Sequence, residues 1–437
     1  MSQLPDDAAT GSPQPAAEIS RLADHLFRQE AGKLVSVLTG IFGLERLQMA
    51  EDVVQEAMVR ALKSWPYYGI PKNPAAWLTQ TAKNLALDLI RREKLFSDKQ
   101  PQIVAHVENW SAESGDGDAV AFDNEIKDDR LRLMFACCHP LVPQESQTAL
   151  ALKTLCGFSP AEIAKAFLTT EAAIAKRLTR ARQRIQEMRI PFEIPSGEDM
   201  PVRLDGVLQT LYLLFNEGYK ASSGPRLIRE DLCREAIRQV TLLAAHPVGN
   251  QSRVHALAAL MLLNGARLPA RVDEDGNILR LEEQDRSSWD QKMIARGMFH
   301  LAQSAVGDHV SEYHLQAGIA AVHCTAKDYE STDWPRILSL YDQLIEMDDS
   351  PVVALNRAVA LAKVHGPRAG IEAVETIRQR QMLESYHLLY AVLAEFESQL
   401  NDYQAAARHL RKALEFTELE SEQSFLSKKL RQCEDRH

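Results

Sequence analysis

Apolar residues recur at three- and four-residue intervals along nearly the whole chain, and almost nowhere do they alternate as a half-buried strand requires. Between Glu18 and Gly43, Ile19, Leu22, Leu26, Leu34 and Leu38 form one such series; Glu51–Trp65 and Pro74–Arg92 carry a second and a third. The pattern returns from Glu125 to Arg189 and again after Leu204. An all-α architecture is therefore expected, its helices packed through apolar stripes. The exception is Ala270–Leu281, where Asp275-Gly276 between alternating apolar residues predicts a hairpin turn. That stretch also mimics a calcium loop, but Arg271 would take the first ligand position, and a cationic side chain cannot hold a cation.

Two breaks divide the chain. Ser, Gly and Asp crowd Ser97–Asp123 with little periodicity, and Pro191, Pro195, Gly197 and Pro201 punctuate a second break. The expected organisation is a disordered tail at 1–17, helical domains at 18–97 and 125–190, and linkers at 98–124 and 191–204. A helical extension at 205–290 and helical repeats at 291–437 complete it. Met1–Ala17 has neither the basic and apolar stretches of a secretory signal nor the amphipathicity of a transit peptide. No apolar run approaches the ~20 residues that a membrane span needs, so no membrane is expected. Six cysteines without a regular framework fit reduced thiols in a cytoplasm. Cys137-Cys138-His139, ahead of Pro140, lacks metal-ligand spacing and reads as core. With no phosphate loop, nucleophile triad or carboxylate pair, neither a catalytic residue, a metal nor a cofactor is expected, and the chain does not read as an enzyme.

A net charge of −10 argues against nucleic acid only if the charge is spread evenly. It is not. Lys176, Arg177, Arg180, Arg182, Arg184 and Arg189 face a single acid, Glu187, in their segment, whereas Glu108–Asp129 holds eight acids and one lysine. Nucleic acid remains open.

Three segments carry the functional signal. In Ala50–Trp65, Val54, Ala57, Met58, Ala61 and Trp65 make a stripe that must be buried, opposite Asp52, Gln55, Glu56 and Lys63. Alone, that polar face reads as solvated. Trp65–Glu93 places an aromatic and proline-rich loop ahead of a helix with an apolar stripe of Trp77, Ala82, Leu85 and Leu89. Its polar face offers Thr81, Lys83, Asn84, Asp88, Arg91 and Arg92. Aromatic rings stack on unpaired bases and cations hold phosphates, although Trp65 and Trp77 also suit a core. In Ser159–Gln186, Ser159 and Glu162 predict a capping box, Thr170 a second cap, and Ile163, Phe167, Ile174 and Leu178 two helices crossing through a tight turn. The second helix presents Ala173, Lys176, Arg177, Arg180 and Arg184 outward, as a helix-turn-helix reading the major groove would.

In order and spacing, these three segments strongly resemble an extracytoplasmic-function (ECF) sigma factor of bacterial RNA polymerase, over roughly Glu18–Arg189. Glu51-Asp52-Val53-Val54-Gln55-Glu56-Ala57 looks like the family's clamp-binding helix. The resemblance implies that Asp52, Gln55 and Glu56 bind core polymerase. It implies −10 contacts from Tyr67, Tyr68, Lys72, Trp77, Thr81, Lys83, Asn84, Asp88, Arg91 and Arg92. It implies −35 contacts from Thr170, Ala173, Lys176, Arg177, Arg180 and Arg184. The turn Phe167-Leu168-Thr169-Thr170 departs from the family, which commonly has Gly there. Core polymerase and promoter DNA are the implied partners, and the cytoplasm the implied compartment.

The remainder resembles the long extension of one sigma subgroup, in which a helical domain runs into tetratricopeptide-like repeats. Leu214–Tyr219 and Gln284–Asp290 look like that subgroup's characteristic stretches, and their polar residues read as ties between helices or as a ligand site. Asn356–Ile377 aligns with Leu389–Leu414, Ala358 with Ala391 and Ala373 with Ala406, at a period of 33. A protein regulator acting through this part is expected. A helix-turn-helix activator with a repeat sensor domain and a repeat scaffold with an incidental basic hairpin are the alternatives.

Overall fold

The computed structural model describes residues 30–92, 104, 107, 110, 128–167, 169–190, 199–221, 227–273, 276–307, 309–417 and 419–436. Among these the chain is helical as expected. The hairpin around Gly276 is reduced to an isolated antiparallel bridge between Val272 and Ile278. The flanking Leu279 N–H donates to the Arg271 carbonyl at 2.9 Å. The tail at 1–17, most of the linker at 98–124 and residues 191–198 lie outside the described residues.

The first compact unit opens with α1 (residues 30–42), α2 (Leu47–Tyr68) and α3 (Pro74–Arg92). On α2 the expected stripe is buried at Val54, Ala57, Ala61 and Trp65, with Met58 half-buried. Glu51 is buried among them, which the pattern did not foretell. Gly69 (φ 78°) stops α2 in a conformation that costs other residues a Cβ clash, leaving Tyr67 and Tyr68 on its last turn. On α3 the buried face is Leu78, Ala82, Ala86 and Ile90, four residues apart, so the expected stripe is corrected by one position. Trp77, Leu85 and Leu89 are half-buried at its edge. Trp77 nevertheless meets Trp65 edge-to-face, ring centres 5.7 Å apart.

The helix-turn-helix follows in the same unit. It comprises α4 (Asp129–Cys137), α5 (Gln144–Cys156), α6 (Pro160–Ala166) and α7 (Glu171–Met188). Both predicted caps form. Glu162 N–H donates to Ser159 Oγ at 3.1 Å while Ser159 N–H donates to the Glu162 carboxylate at 2.7 Å, and Thr170 Oγ1 accepts from Ala173 N–H at 3.3 Å. Ile163, Ile174 and Leu178 are buried and Phe167 half-buried. Cys137 and Cys138 are core thiols, and burial pushes Cys138 up to about 12. The next helix, α8 (Asp199–Tyr219), begins five residues before Leu204, with Pro201 in its first turn, where a missing N–H costs no helical bond.

The second unit continues from α8 into α9 (Glu230–Ala245), α10 (Ser252–Gly265), α11 (Gln291–Ser304) and α12 (Glu312–Thr325). Helix α10 is apolar nearly all round and is buried from Val254 to Leu263, as the centre of a bundle must be. The polar residues of the two characteristic stretches tie helices together. Glu217 pairs with Arg229 at 3.2 Å, and Asp290 accepts from Met293 N–H at 2.9 Å to cap α11. Arg286 donates to the carbonyls of His323 and Ala326 at 2.6 and 2.7 Å. The chain continues through α13 (Trp334–Met347), the packed pair α14 (Pro351–His365) and α15 (Pro367–Glu375), the packed pair α16 (His387–Gln399) and α17 (Tyr403–Phe416), and α18 (Glu420–Glu434). The aligned alanines fall on corresponding helices: Ala358 and Ala391 on α14 and α16, Ala373 and Ala406 on α15 and α17. Ala358 and Ala406 are fully buried.

Candidate nucleic-acid interface

Helix α7 is built to expose one basic face. Ile174, Leu178, Ala181 and Ile185 bury the other, which leaves Lys176, Arg180 and Arg184 on the surface with the capping Thr170 at the start of the helix. Ala173 is half-buried beside them. Arginines of this helix, Arg177 and Arg184 of the expected outward face among them, have partners within the protein. Arg177 is three-quarters covered and forms an ion pair of 2.5 Å with Glu145, at the start of α5. Arg182 turns away from the face and donates to Glu51 at 2.8 Å. The Arg184 guanidinium reaches back to the Leu141 carbonyl at 3.4 Å. Neither carboxylate partner was foreseen, because each lies more than 30 residues from its arginine.

A second surface joins the end of α2 to α3. Tyr67 and Tyr68 are 84% and 90% exposed, so their rings project into solvent with no packing role. Lys72, Asn84, Asp88, Arg91 and Arg92 are exposed alongside, Arg91 lying 4.0 Å from Asp88. Three residues expected here are otherwise engaged. Trp77 packs on Trp65, the Thr81 hydroxyl returns to the Trp77 carbonyl at 2.8 Å, and Lys83 Nζ donates to the Trp110 carbonyl at 3.1 Å.

Along α2, Asp52, Gln55 and Glu56 form a separate polar patch, all three exposed. Asp52 accepts from Gln48 at 2.9 Å and Glu56 pairs with Arg60 at 3.0 Å, contacts within one helix that hold the carboxylates in place. The first unit thus offers an exposed basic helix, an aromatic and basic corner, and an acid-amide patch. Among the described residues no group of three or more His, Cys, Asp or Glu stands ready for a metal ion, and no helix is long and apolar enough to cross a membrane.

Comparison with known proteins agrees with this partition. Residues 26–96 match sigma-70 region 2 and residues 132–185 match sigma-70 region 4. The class is therefore that of sigma-70 factors, which direct transcription initiation. More particularly, the chain belongs to the same family as the uncharacterized protein R00370 of Rhizobium meliloti. The two are 40% identical over 336 residues, covering 76% of this chain and 78% of that protein. It is also similar to the ECF RNA polymerase sigma-E factor of Haemophilus influenzae, 26% identical over 136 residues, 31% of this chain and 71% of that factor. Residues 203–305 match a family of unknown function, DUF6596, and no solved structure matches the chain.

Proposed function

We propose that this chain is an ECF-type initiation factor that acts in the cytoplasm and divides promoter recognition between its two matched regions. The observation that carries the reading is the pairing, in one unit, of a basic helix-turn-helix face with an exposed tyrosine corner. Lys176, Arg180 and Arg184 supply phosphate and purine-edge contacts in the major groove of the −35 element, with Thr170, Ala173 and Arg177 on the same helix. Tyr67 and Tyr68 stack on bases of the −10 strand as it unpairs, while Lys72, Asn84, Asp88, Arg91 and Arg92 line its path. Trp77, Thr81 and Lys83 support that surface from partly covered positions. Flipping out a base costs a few kcal/mol, and each stacked base returns about 1–3 kcal/mol, so opening needs no nucleotide hydrolysis by the factor. Asp52, Gln55 and Glu56 dock on core polymerase, for which an exposed acid-amide patch on a rigid helix is suited.

The C-terminal helix pairs, read as tetratricopeptide-like, regulate this activity by binding a protein. A groove of about 510 Å³ along α13, α14 and α15 supports that role. Its lining mixes the apolar Ile345, Ala373 and Ile377 with Glu346 and the ion pairs Arg357–Asp342 and Arg378–Asp349, a surface suited to an amphipathic segment of a partner.

The test is reconstitution. The chain mixed with core polymerase and a candidate promoter forms a holoenzyme that protects both elements and renders −10 thymines reactive to permanganate. Duplex binding without core polymerase favours a helix-turn-helix activator instead, and absence of any promoter binding favours a scaffold. Deleting residues after Pro201 changes transcription if the C-terminal part regulates; unchanged transcription and polymerase affinity remove that role.

A further inference from the structure

We infer that the second unit holds a binding site for a small phosphate-bearing ligand, where the end of α10, residues 284–290 and the end of α12 meet. At its centre is Trp289, 3% exposed. The guanidinium carbons of Arg267, just beyond α10, and of Arg286 lie 5.3 and 4.9 Å from the centre of that ring, within the range over which a cation is drawn to an aromatic face. His323 and Cys324, in the last turn of α12, lie in the field of both charges. Burial and the two arginines hold the His323 imidazole down to about 3, so it is neutral. Burial raises the Cys324 thiol to about 11 against the pull of the same two arginines.

The protein does not balance these two charges. Among the described residues the side-chain and carbonyl partners of the pair are Gln284 Oε1 for Arg267, at 3.4 Å, and the His323 and Ala326 carbonyls and Thr332 Oγ1 for Arg286; none is a carboxylate. Acids stand close by in sequence but are engaged elsewhere. Asp285 accepts from the Ser287 N–H at 2.9 Å and the Ser287 hydroxyl at 2.7 Å, Asp290 caps α11, and Asp328 accepts from the Ser331 N–H at 2.8 Å. Burial and the charge of Arg267 pull Arg286 below its ordinary value, and Asp328 and Glu330 oppose this only from longer range.

Three polar nitrogens in the cluster also lack a partner: Arg267 Nε, Trp289 Nε1 and His323 Nδ1 are buried with none in the protein. Buried N–H groups are almost always paired, and an uncompensated cation is costly to bury. A neutral ligand would meet the donors but not the charges. A phosphate group brings about −1.5 to −2 charge and three strong acceptor oxygens, which answers both. Arg286 is ready for it: its bonds to the end of α12 use three of its five N–H groups, so it is fixed in place with donors to spare. A phosphate held there ties residues 284–290 to α10 and α12, a chemical input to the extension that requires no protein partner and does not depend on the sigma reading.

The experiment labels the full chain with 5-fluorotryptophan and titrates it with inorganic phosphate at constant pH and ionic strength. Of the five tryptophan resonances, the one that Trp289→Phe removes is expected to shift and saturate, and Tm to rise with phosphate. Arg267→Gln is expected to weaken phosphate binding roughly tenfold or more, as loss of a charged donor does, while leaving the ligand-free Tm equal or higher, because it relieves the repulsion. An arginine that only packs gives the reverse, a lower Tm and an unchanged response to phosphate. Trp289→Phe keeps the ring but deletes the Nε1–H, and is expected to reduce the rise in Tm, so the site is read from a second variant. Glycerol 3-phosphate titrated in parallel separates the sources: tighter binding than inorganic phosphate assigns the group to an ester, weaker binding to the free ion. A saturable shift with acetate but not phosphate overturns the phosphate assignment. No saturable shift of the Trp289 resonance, or equal phosphate affinity in the parent protein and Arg267→Gln, overturns the site.

Discussion

Arg177 and Glu145 meet at 2.5 Å across the helix-turn-helix, so one arginine of the DNA-facing helix is neutralised before DNA arrives. Arg180, one turn further on, is exposed. The two therefore differ in what they contribute to a phosphate backbone, and Glu145→Gln, which removes this counter-charge from Arg177, is predicted to strengthen binding. Measured as holoenzyme affinity for a −35 duplex across a salt series, the variant gains about one unit of salt slope and Arg180→Ala loses about one. Parallel slopes for all three proteins would show that the ion pair persists on DNA.

The tyrosines at the end of α2 separate function from stability cleanly. Being 84% and 90% exposed, Tyr67 and Tyr68 are predicted to leave chemical denaturation unchanged within about 0.5 kcal/mol when either is replaced by alanine. Open-complex formation, followed by permanganate reactivity at −10, is expected to weaken by about 1–3 kcal/mol for each ring that stacks on a base. A loss of stability equal to the loss of opening would assign the rings to packing.

How far these features were legible follows from the range over which each is decided. The Ser159–Glu162 box and the Thr170 cap are set within four residues, and both form as read. The stripe on α3 was displaced by one position because Trp77, Leu78, Ala82, Leu85, Ala86, Leu87, Leu89 and Ile90 nearly encircle the helix. Which of them is buried depends on the neighbouring helices, not on the period. Glu51 was illegible altogether. Its partners stand 103 and 131 residues away, and an acid beside Asp52 carries no local mark of burial. Likewise nothing near Lys83 announces that Trp110 will cover it.

The capping box itself is testable. Ser159→Ala removes the acceptor for Glu162 N–H, and a cap of this kind is worth about 1 kcal/mol. Glu162 is buried and its carboxylate accepts from Ser159 N–H, so Glu162→Ala also leaves a backbone donor without its partner. Both are predicted to lower the denaturation midpoint of the first unit, and the double variant to lose less than the sum of the two, since each half of the box holds the other in place. Strict additivity in that cycle would mean that the two hydrogen bonds act independently.

Acid sensitivity of the second unit is predicted to centre on Glu422. Three donors converge on its nearly buried carboxylate: Thr417 Oγ1 at 2.7 Å, Lys220 Nζ at 2.9 Å and His387 Nε2 at 3.0 Å. Burial by itself raises the pKa, but the hydrogen bond from His387 and the charge of Lys220 more than reverse this and hold it at about 2, against 4.5 for the ordinary group. Burial pulls Lys220 downward. The carboxylate governs the sign, since it receives three donors whereas Lys220 has one carboxylate. A pKa depressed in the folded state contributes stability that is complete above the unfolded value and disappears as pH falls through the folded one. Stability is therefore expected to decline from about pH 5 towards pH 2, by on the order of 3 kcal/mol from this group. Glu422→Gln should lower stability at pH 7, where it leaves Lys220 without its counter-charge, and flatten that part of the acid profile. Urea melts of both proteins between pH 7 and pH 3 measure the difference. Profiles of equal steepness would move the acid sensitivity to other carboxylates and leave Glu422 a neutral tie between α8 and α18.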